Sequence, residues 1–478
     1  MLARILRVAL ALAVLYILLF LGLTDAGLLG PDEPRYASIG REMAFTGDFV
    51  TPRLWGKNWF EKPALLYWMT GLAFRAGLSA DLAPRLPVAL ASLLFLIFFQ
   101  RQAERRFGRR AAWFATGILA TTAGWFAFSQ LCVPDLPMSA AYGASMMLCL
   151  GWIRDEDDSG VIGAGLLLGV AILAKGLVPV VLALPLVWFG RRRPATLAGM
   201  FGLAAVTAAP WYVLCALENG LPFLREFFWE HHFGRFATEE LQHVQPVWFY
   251  VPVLLAGFVP WTPLLACSMG RQMLKDPRLR FLIATSAFGF VFFSASTNKL
   301  PGYLLPLFPL LAVLAGVSLA RRRRAAGVLF CCGLLLAVIP VAAAVLPDAL
   351  QDGLSRADPP PFSWLLALPV MALSALIWWL DARGKRDIAF ATLVAGVAAG
   401  VLYFKATALP ALDERVSARP LAREVEAQKY PVCAEEIHRA WRYGLNYYTI
   451  EPLPPCTAEH RGWRVRQPAG EPPRLVFE

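Results

Sequence analysis

The chain has 478 residues, of which 58% are hydrophobic and only 17% are charged, and its mean hydropathy is +0.53. A soluble domain of this length cannot bury so much apolar surface, so the composition excludes a soluble globular protein. The formal net charge is +11, but the basic residues lie in short clusters between apolar runs. This pattern is typical of membrane orientation signals and excludes a nucleic-acid groove.

Apolar stretches long enough to cross a bilayer recur along most of the chain. Counted at roughly twenty residues each, they predict an all-α polytopic membrane protein with about thirteen transmembrane helices. The first stretch follows Arg4 and Arg7 but is long for a cleavable signal peptide, so we expect it to be retained as a helix. The predicted spans lie near residues 5–23, 86–100, 111–131, 136–153, 161–174, 176–190, 195–217, 247–268, 281–297, 301–320, 326–346, 362–380 and 387–404.

The connections between these spans alternate in charge, which predicts the topology. Arginine-rich connections, such as 101–110 and 321–324, are expected in the cytoplasm together with the N-terminus. The long loops 24–85 and 218–246 and the C-terminal tail are then outside. We therefore predict a multi-pass protein with a membrane domain, 1–404, and an extracytoplasmic domain, 405–478.

The outer segments have folding signals of their own. Residues 33–45 place apolar side chains at helical spacing, and residues 63–74 suit a second helix at the membrane interface. The tail is rich in aromatic and charged residues and is expected to form a small α/β domain. Cys433 and Cys456 can pair there if the tail is extracytoplasmic.

Two acidic positions stand out because prolines flank them. Asp32 and Glu33 lie between two prolines, and Asp135 lies in a similar setting between two spans. A carboxylate at a membrane surface can act as a base or hold a cation, so all three are catalytic candidates. The alternative is that they cap the helices that follow.

Three lysines are predicted on the outer side of the membrane, each with apolar or acidic neighbours. Lys62 follows Glu61 and can hold a lipid phosphate or simply form a surface ion pair. Lys175 and Lys299 stand at span ends, where lysines commonly extend towards water. Positive charge is disfavoured on the outer side, however, which favours an anionic ligand for both.

His231 and His232 are two of only five histidines, and they lie in an outer loop with Arg235. A histidine there can supply a nitrogen ligand to zinc together with a carboxylate such as Glu61. The signal is weak because neither an HExxH nor a paired CxxC motif is present. A P-loop and a GxSxG motif are also missing, so nothing supports nucleotide hydrolysis or serine hydrolase chemistry.

These motifs, taken in order over residues 5–320, resemble the bacterial aminoarabinose transferase family, which is related to protein O-mannosyltransferases. The resemblance implies a GT-C glycosyltransferase with thirteen helices and an outer C-terminal domain. The residues that carry it are Asp32-Glu-Pro-Arg-Tyr-Ala37, Gly47-Asp-Phe-Val-Thr-Pro-Arg53, Phe60-Glu-Lys-Pro63, Ala83-Pro-Arg-Leu-Pro87, Pro134-Asp135, Lys175-Gly176, Glu230-His231, Arg235-Phe236, Pro260-Trp261 and Lys299-Leu-Pro-Gly-Tyr-Leu-Leu-Pro306.

The resemblance also implies roles for individual residues. The donor would be a sugar linked to polyprenyl phosphate, with no nucleotide cofactor. Asp32 would be the first-loop catalytic aspartate, with Asp135 as the second acidic position. The remaining candidates are Arg35, Tyr36, Lys62, Arg235, Lys299 and Tyr303 for the substrate, and Glu61 with His231 or His232 for a divalent metal, zinc above all.

The acceptor stays open at this point, because the short tail does not visibly match the aminoarabinose enzymes. Lipid A or another glycolipid is the main expectation, and a polysaccharide or protein is an alternative. A hydroxyl acceptor would need Asp32 as a base, whereas an ionised phosphate would not. A transporter or flippase of a lipid-linked or anionic substrate is the competing class, and a scaffold protein is a third.

Overall fold

A computed structural model of the chain describes residues 2–155, 157–227, 244–268, 270–361, 363–457, 461–468 and 470–477. The fold is helical apart from a short hairpin and a small terminal sheet. In the N-terminal half the helices are α1 Leu2–Leu19, α2 Asp32–Thr46, α3 Leu65–Arg75, α4 Leu82–Phe107, α5 Arg109–Thr121, α6 Ala123–Ser129, α7 Asp135–Asp155, α8 Val161–Lys175, α9 Val178–Leu182, α10 Pro185–Phe189 and α11 Pro194–Leu224.

The C-terminal half continues in the same way, with short 3₁₀ turns at Val247–Phe249 and Pro301–Leu307. Its helices are α12 Tyr250–Gly257, α13 Thr262–Ala266, α14 Pro277–Ala295, α15 Phe308–Arg321, α16 Ala326–Leu334, α17 Val338–Asp352, α18 Trp364–Ala382, α19 Arg386–Arg415, α20 Arg419–Glu426 and α21 Arg439–Tyr448.

Within the described part of the chain, nine helical segments are long and apolar enough to cross a membrane. A tenth arises if α5 and α6, which meet at a bend of 61°, form one broken span. Three shorter apolar helices, at Ala9–Leu19, Val178–Phe189 and Val247–Gly257, complete the set. Each of the roughly thirteen predicted spans thus coincides with one of these segments, and the predicted polytopic helical fold is confirmed.

The core of the bundle lies around α7 and α15. In both spans, Asp135–Arg154 and Pro301–Arg321, 89% of the most apolar window is buried, against 22% for Trp364–Ala382. Because α7 and α15 are surrounded by other helices, they can be apolar all round and need no polar side. Asp135 is the first residue of α7, and Tyr303 lies in the 3₁₀ turn that leads into α15, so the two best-packed spans contain candidate site residues.

The first long loop is a compact structure rather than a flexible connection. Helix α2 buries Tyr36, Ile39 and Met43, as its apolar spacing predicts. It ends at Gly47, which has φ 77° and donates its N–H to Met43 O, a left-handed C-cap that glycine adopts without strain. The hairpin of β1 Arg53–Leu54 and β2 Lys57–Asn58 then leads to helix α3.

The tail folds as the α/β domain that the sequence predicts. Its sheet has the order β3 Val432–Ala434, β4 Trp463–Arg466 and β5 Arg474–Phe477, with β3 and β4 parallel and β4 and β5 antiparallel. Cys433 and Cys456 form a disulfide. Helix α19 runs through the predicted boundary at residue 404, so the domain is joined to the bundle by continuous helix.

The terminal domain is docked onto the first loop. Arg41 Nη2 donates to Tyr447 O over 2.7 Å, and Tyr448 Oη donates to Asp81 Oδ1 over 2.7 Å. Arg419 contacts Asp81 at 2.9 Å as well. The predicted assignment of loop 24–85 and the tail to one face of the membrane agrees with these contacts.

Candidate functional site

Arg35 lies at the centre of the ionisable cluster in the first loop. Its Nη2 atom is 2.5 Å from Asp32 Oδ1 and 3.1 Å from Glu61 Oε2. Asp32 and Arg35 stand three residues apart on α2 and therefore share one face of the helix. The Arg35 side chain is 12% exposed and that of Asp32 is 45% exposed. The cluster thus presents one accessible carboxylate above a largely buried cation.

Aromatic rings surround the Arg35 guanidinium. Its Cζ atom lies 5.1 Å from the ring centroid of Tyr36 and 5.5 Å from those of Trp59 and Tyr443. Trp55, in the turn of the hairpin, stacks on Tyr443 with ring centroids 5.6 Å apart. These distances are in the range of cation–π attraction, so both charge and packing fix the position of Arg35.

The charge of Arg35 is well supported. Burial by itself lowers the pKa of the guanidinium. The interactions with Tyr36, Glu61 and Asp32 outweigh this effect, so the pKa of Arg35 is raised above its ordinary value. Burial also raises the pKa of the Tyr36 phenol, which therefore stays neutral at ordinary pH. The site consequently offers a permanent cation and a neutral hydroxyl side by side.

Glu61 joins two cations. Its Oε1 atom accepts from Lys62 Nζ over 2.9 Å, while Oε2 faces Arg35. The Glu61 side chain is 5% exposed and that of Lys62 is 13% exposed. The sequence left open whether Glu61 pairs with Lys62 or binds a metal, and the structure shows the pair.

The metal candidates do not assemble in the described part of the chain. Both Glu61 oxygens face cations, and no group of three or more His, Cys, Asp or Glu side chains suited to a metal occurs among the described residues. His231, His232 and Arg235 lie outside those residues. The zinc site therefore stays a prediction, and we derive no step through a metal.

Glu33 points away from Asp32, into the protein. Its carboxylate accepts from Arg85 Nη2 at 2.8 Å and Nε at 3.1 Å, from Leu29 N at 2.9 Å and from Cys132 N at 2.7 Å. Only 2% of the Glu33 side chain is exposed. Its acceptors are thus used to join α2, α4 and the chain before α7, and it offers none to solvent.

Asp135 forms a second charged cluster at the start of α7. Its Oδ1 atom accepts from Lys175 Nζ over 2.5 Å, and Lys175 lies 4.6 Å from the centroid of the Tyr303 ring. A Cβ added at Gly302 would lie 2.6 Å from Asp135 Oδ1, so Gly302 is needed for this close approach. Lys175, which looks isolated in the sequence, has Asp135 as its partner.

Lys299 is buried beside this region, with 4% of the residue exposed. Its ammonium donates to Gln245 O over 2.8 Å and to Ser296 O. Lys299 therefore joins two backbone segments. A lysine at a span end commonly extends to water, but Lys299 does not.

The structure brings Asp32, Arg35, Tyr36, Glu61 and Lys62 into one cluster, and Asp135 and Tyr303 into another around Lys175. Sequence reasoning missed Trp59 and Tyr443 as neighbours of Arg35. Trp59 directly precedes the Phe60-Glu-Lys-Pro63 motif, so its place beside the site could have been predicted from the sequence. Tyr443 follows more than 380 residues later, and no local pattern connects it to the site.

Comparison with known proteins identifies related sequences. Residues 61–216 match the family described as dolichyl-phosphate-mannose-protein mannosyltransferase. An undecaprenyl phosphate-alpha-4-amino-4-deoxy-L-arabinose arabinosyl transferase 2 from Proteus mirabilis is 30% identical over 397 residues, which are 78% of this chain and 71% of the relative. The corresponding transferase from Serratia proteamaculans is 34% identical over 335 residues, which are 64% of this chain and 58% of the relative. The chain thus spans less than two thirds of the second relative's length.

Solved structures with the same fold cover almost the whole chain. ArnT from Cupriavidus metallidurans bound to undecaprenyl phosphate is 27% identical, with a TM-score of 0.78 over 95% of this chain and 86% of that one. The arabinosyltransferase EmbB from Mycobacterium smegmatis is 14% identical, with a TM-score of 0.53 over 96% of this chain and 45% of EmbB. At that identity the second likeness concerns the fold alone.

Proposed function

Because the chain belongs to the family of undecaprenyl phosphate-alpha-4-amino-4-deoxy-L-arabinose arabinosyl transferases, we propose that it transfers an amino sugar from undecaprenyl phosphate to a glycolipid acceptor such as lipid A. It is an integral membrane glycosyltransferase that uses a polyprenyl-phosphate-linked donor. A transporter is not favoured, since these relatives are transferases by name.

The observation that carries the proposal is the half-exposed Asp32 carboxylate beside the buried Arg35, Glu61 and Lys62. In the reaction, an acceptor oxygen attacks the anomeric carbon of the sugar. The bond from that carbon to the carrier phosphate breaks, and the phosphate leaves with the electron pair. A transferase therefore needs cations where the phosphate gains charge and a carboxylate near the acceptor, and this cluster holds both kinds of group.

Lys62 is the residue that we assign to the carrier phosphate. Its ammonium is a compact charge that pairs with phosphate as it does with carboxylate. Arg35 fixes the direction of the Asp32 carboxylate through their ion pair. If the acceptor is a hydroxyl, Asp32 takes its proton; if the acceptor is an ionised phosphate, Asp32 orients it or the sugar without accepting a proton.

We assign the site to the periplasmic side of the inner membrane. The first loop and the terminal domain contact each other, so they lie on one side. The Cys433–Cys456 disulfide supports the oxidising compartment, because disulfides persist outside the cytoplasm. The basic connections on the opposite side support a cytoplasmic N-terminus.

The test is Asp32→Asn in purified protein supplied with the lipid-linked amino sugar and lipid A. We expect transfer to fall by about a hundredfold or more, because the charge that receives or orients the acceptor is lost. Thermal stability and chromatographic behaviour should stay unchanged. Asp25→Asn, in an exposed part of the same loop, is the matched control and should transfer normally. Normal transfer by Asp32→Asn would overturn the assignment.

A further inference from the structure

Tyr443 links the terminal domain to the ionisable cluster of the membrane domain. It lies on helix α21, and its ring centroid is 5.5 Å from Arg35 Cζ. The other neighbours of Arg35 in this cluster belong to the first loop. Tyr443 is therefore the point at which the tail reaches the charged centre of the site.

The position of the Tyr443 ring is fixed from several sides. Trp55 stacks on it at an interplanar angle of 27°. The next residue, Gly444, packs so closely that an added Cβ would lie 2.8 Å from the Cβ of Ala418. One turn later, Tyr447 Oη donates to Ala80 O over 2.5 Å. The helix that bears Tyr443 is thus held against the first loop at both its middle and its end.

Hydrogen bonds do not hold the whole Arg35 guanidinium. Arg35 Nη2 faces Asp32 and Glu61, but Arg35 Nε is buried without a hydrogen-bond acceptor among the described residues. Aromatic faces attract a guanidinium plane without needing an acceptor atom. Tyr443 and Trp59, whose ring centroids lie 5.5 Å from Arg35 Cζ, therefore supply contacts to the guanidinium that its hydrogen bonds do not.

We infer that Tyr443 is a positioning residue for the transfer reaction: the terminal domain holds Arg35, and through it Asp32, in the geometry that the reaction needs. The inference rests on the proposed function. Tyr443 touches no reacting atom in this scheme. Tyr443 affects the acceptor only through the Arg35 guanidinium. Its effect should therefore depend on Arg35, whereas a purely structural role would not.

The experiment compares Tyr443→Leu with Tyr443→Phe in the full chain. Loss of the ring should lower kcat about tenfold, in line with a partly buried cation–π contact. The KM for the lipid-linked sugar should change little, because Lys62 is untouched. Tyr443→Phe keeps the ring and should retain most of kcat. Tyr430→Leu, at an exposed tyrosine of the same domain, is the matched control and should behave as wild type.

A double-mutant cycle with Arg35→Lys tests whether Tyr443 acts through Arg35. Lysine lacks the planar group, so Tyr443→Leu should cost far less in the Arg35→Lys background than in wild type. Equal losses in both backgrounds, or an equal loss in Tyr443→Phe, would overturn the inference. If Tyr443→Leu fails to fold, Trp55→Leu provides the same comparison, since it removes the ring that supports Tyr443.

The outcomes separate the inference from the function on which it rests. A wild-type protein that transfers no sugar would overturn both. A wild-type protein that transfers sugar, with a Tyr443→Leu variant equally active, would overturn only the role of Tyr443. A selective fall in kcat that phenylalanine rescues and that depends on Arg35 would support it.

Discussion

Glu33 and Arg85 form a buried ion pair, 2.8 Å apart, in which 2% and 5% of the two side chains are exposed. Arg85 also donates to three backbone carbonyls, those of Leu23, Ala26 and Gly27. The pair therefore fixes the chain between α1 and α2 against α4. The pair also anchors the start of α2, where Asp32 is the residue that precedes Glu33.

Glu33→Gln should destabilise the protein. It removes the charge that compensates Arg85 in a dry interior, and breaking such a pair costs about 3 kcal/mol. Thermal unfolding in detergent should show a clear fall in Tm, while protein that is still folded should keep measurable transfer. An unchanged Tm with abolished transfer would instead assign Glu33 to the reaction.

Lys62→Ala should weaken binding of undecaprenyl phosphate by about thirtyfold, the effect of losing one charge-assisted contact to phosphate. Native mass spectrometry of protein titrated with the carrier measures this loss. Lys57→Ala is the matched control, since Lys57 is an exposed lysine of the same loop. Equal weakening by both variants would argue for general electrostatic attraction.

Asp135→Asn and Lys175→Met should each lower thermal stability, because each leaves a poorly solvated charge without its partner. The double variant should be more stable than the sum of the single effects predicts, with a coupling energy of about 1–3 kcal/mol. Purely additive effects would show that the 2.5 Å contact contributes nothing to folding.

Replacement of Cys433 and Cys456 by serine should lower the stability of the terminal domain by about 3 kcal/mol, the loop-closure effect of a cross-link over this separation. The two cysteines are 23 residues apart. A reducing agent should lower the Tm of wild type and leave the double serine variant unchanged. Equal sensitivity of both proteins would assign the effect to another cysteine.

The apolar spans were predictable because membrane helices are specified locally. About twenty consecutive apolar residues suffice to define one, whatever the rest of the chain does. The helix over Tyr36, Ile39 and Met43 was predictable for the same reason, since its period is visible in the sequence. The alternation of charged connections predicted that loop 24–85 and the C-terminal tail share one side of the membrane, and the two are in contact.

The partners of the charged residues were not predictable. Glu33 binds Arg85 and Cys132 N, which are 52 and 99 residues away. Lys175 looks like an isolated cation until the fold places Asp135, 40 residues earlier, beside it. Charge and spacing indicate which residues share a face, but only tertiary packing determines which of them meet.

Helix α19 links the membrane bundle to the terminal domain without interruption. Its 30 residues extend about 45 Å at 1.5 Å per residue, whereas the hydrocarbon core of a bilayer measures about 30 Å. The helix is therefore about 15 Å longer than the hydrocarbon core, and the domain that carries Tyr443 follows its C-terminal end. Because a lipid-linked sugar lies at a depth set by the bilayer, we expect the acyl-chain length of the surrounding lipid to affect how well the carrier and the site are aligned.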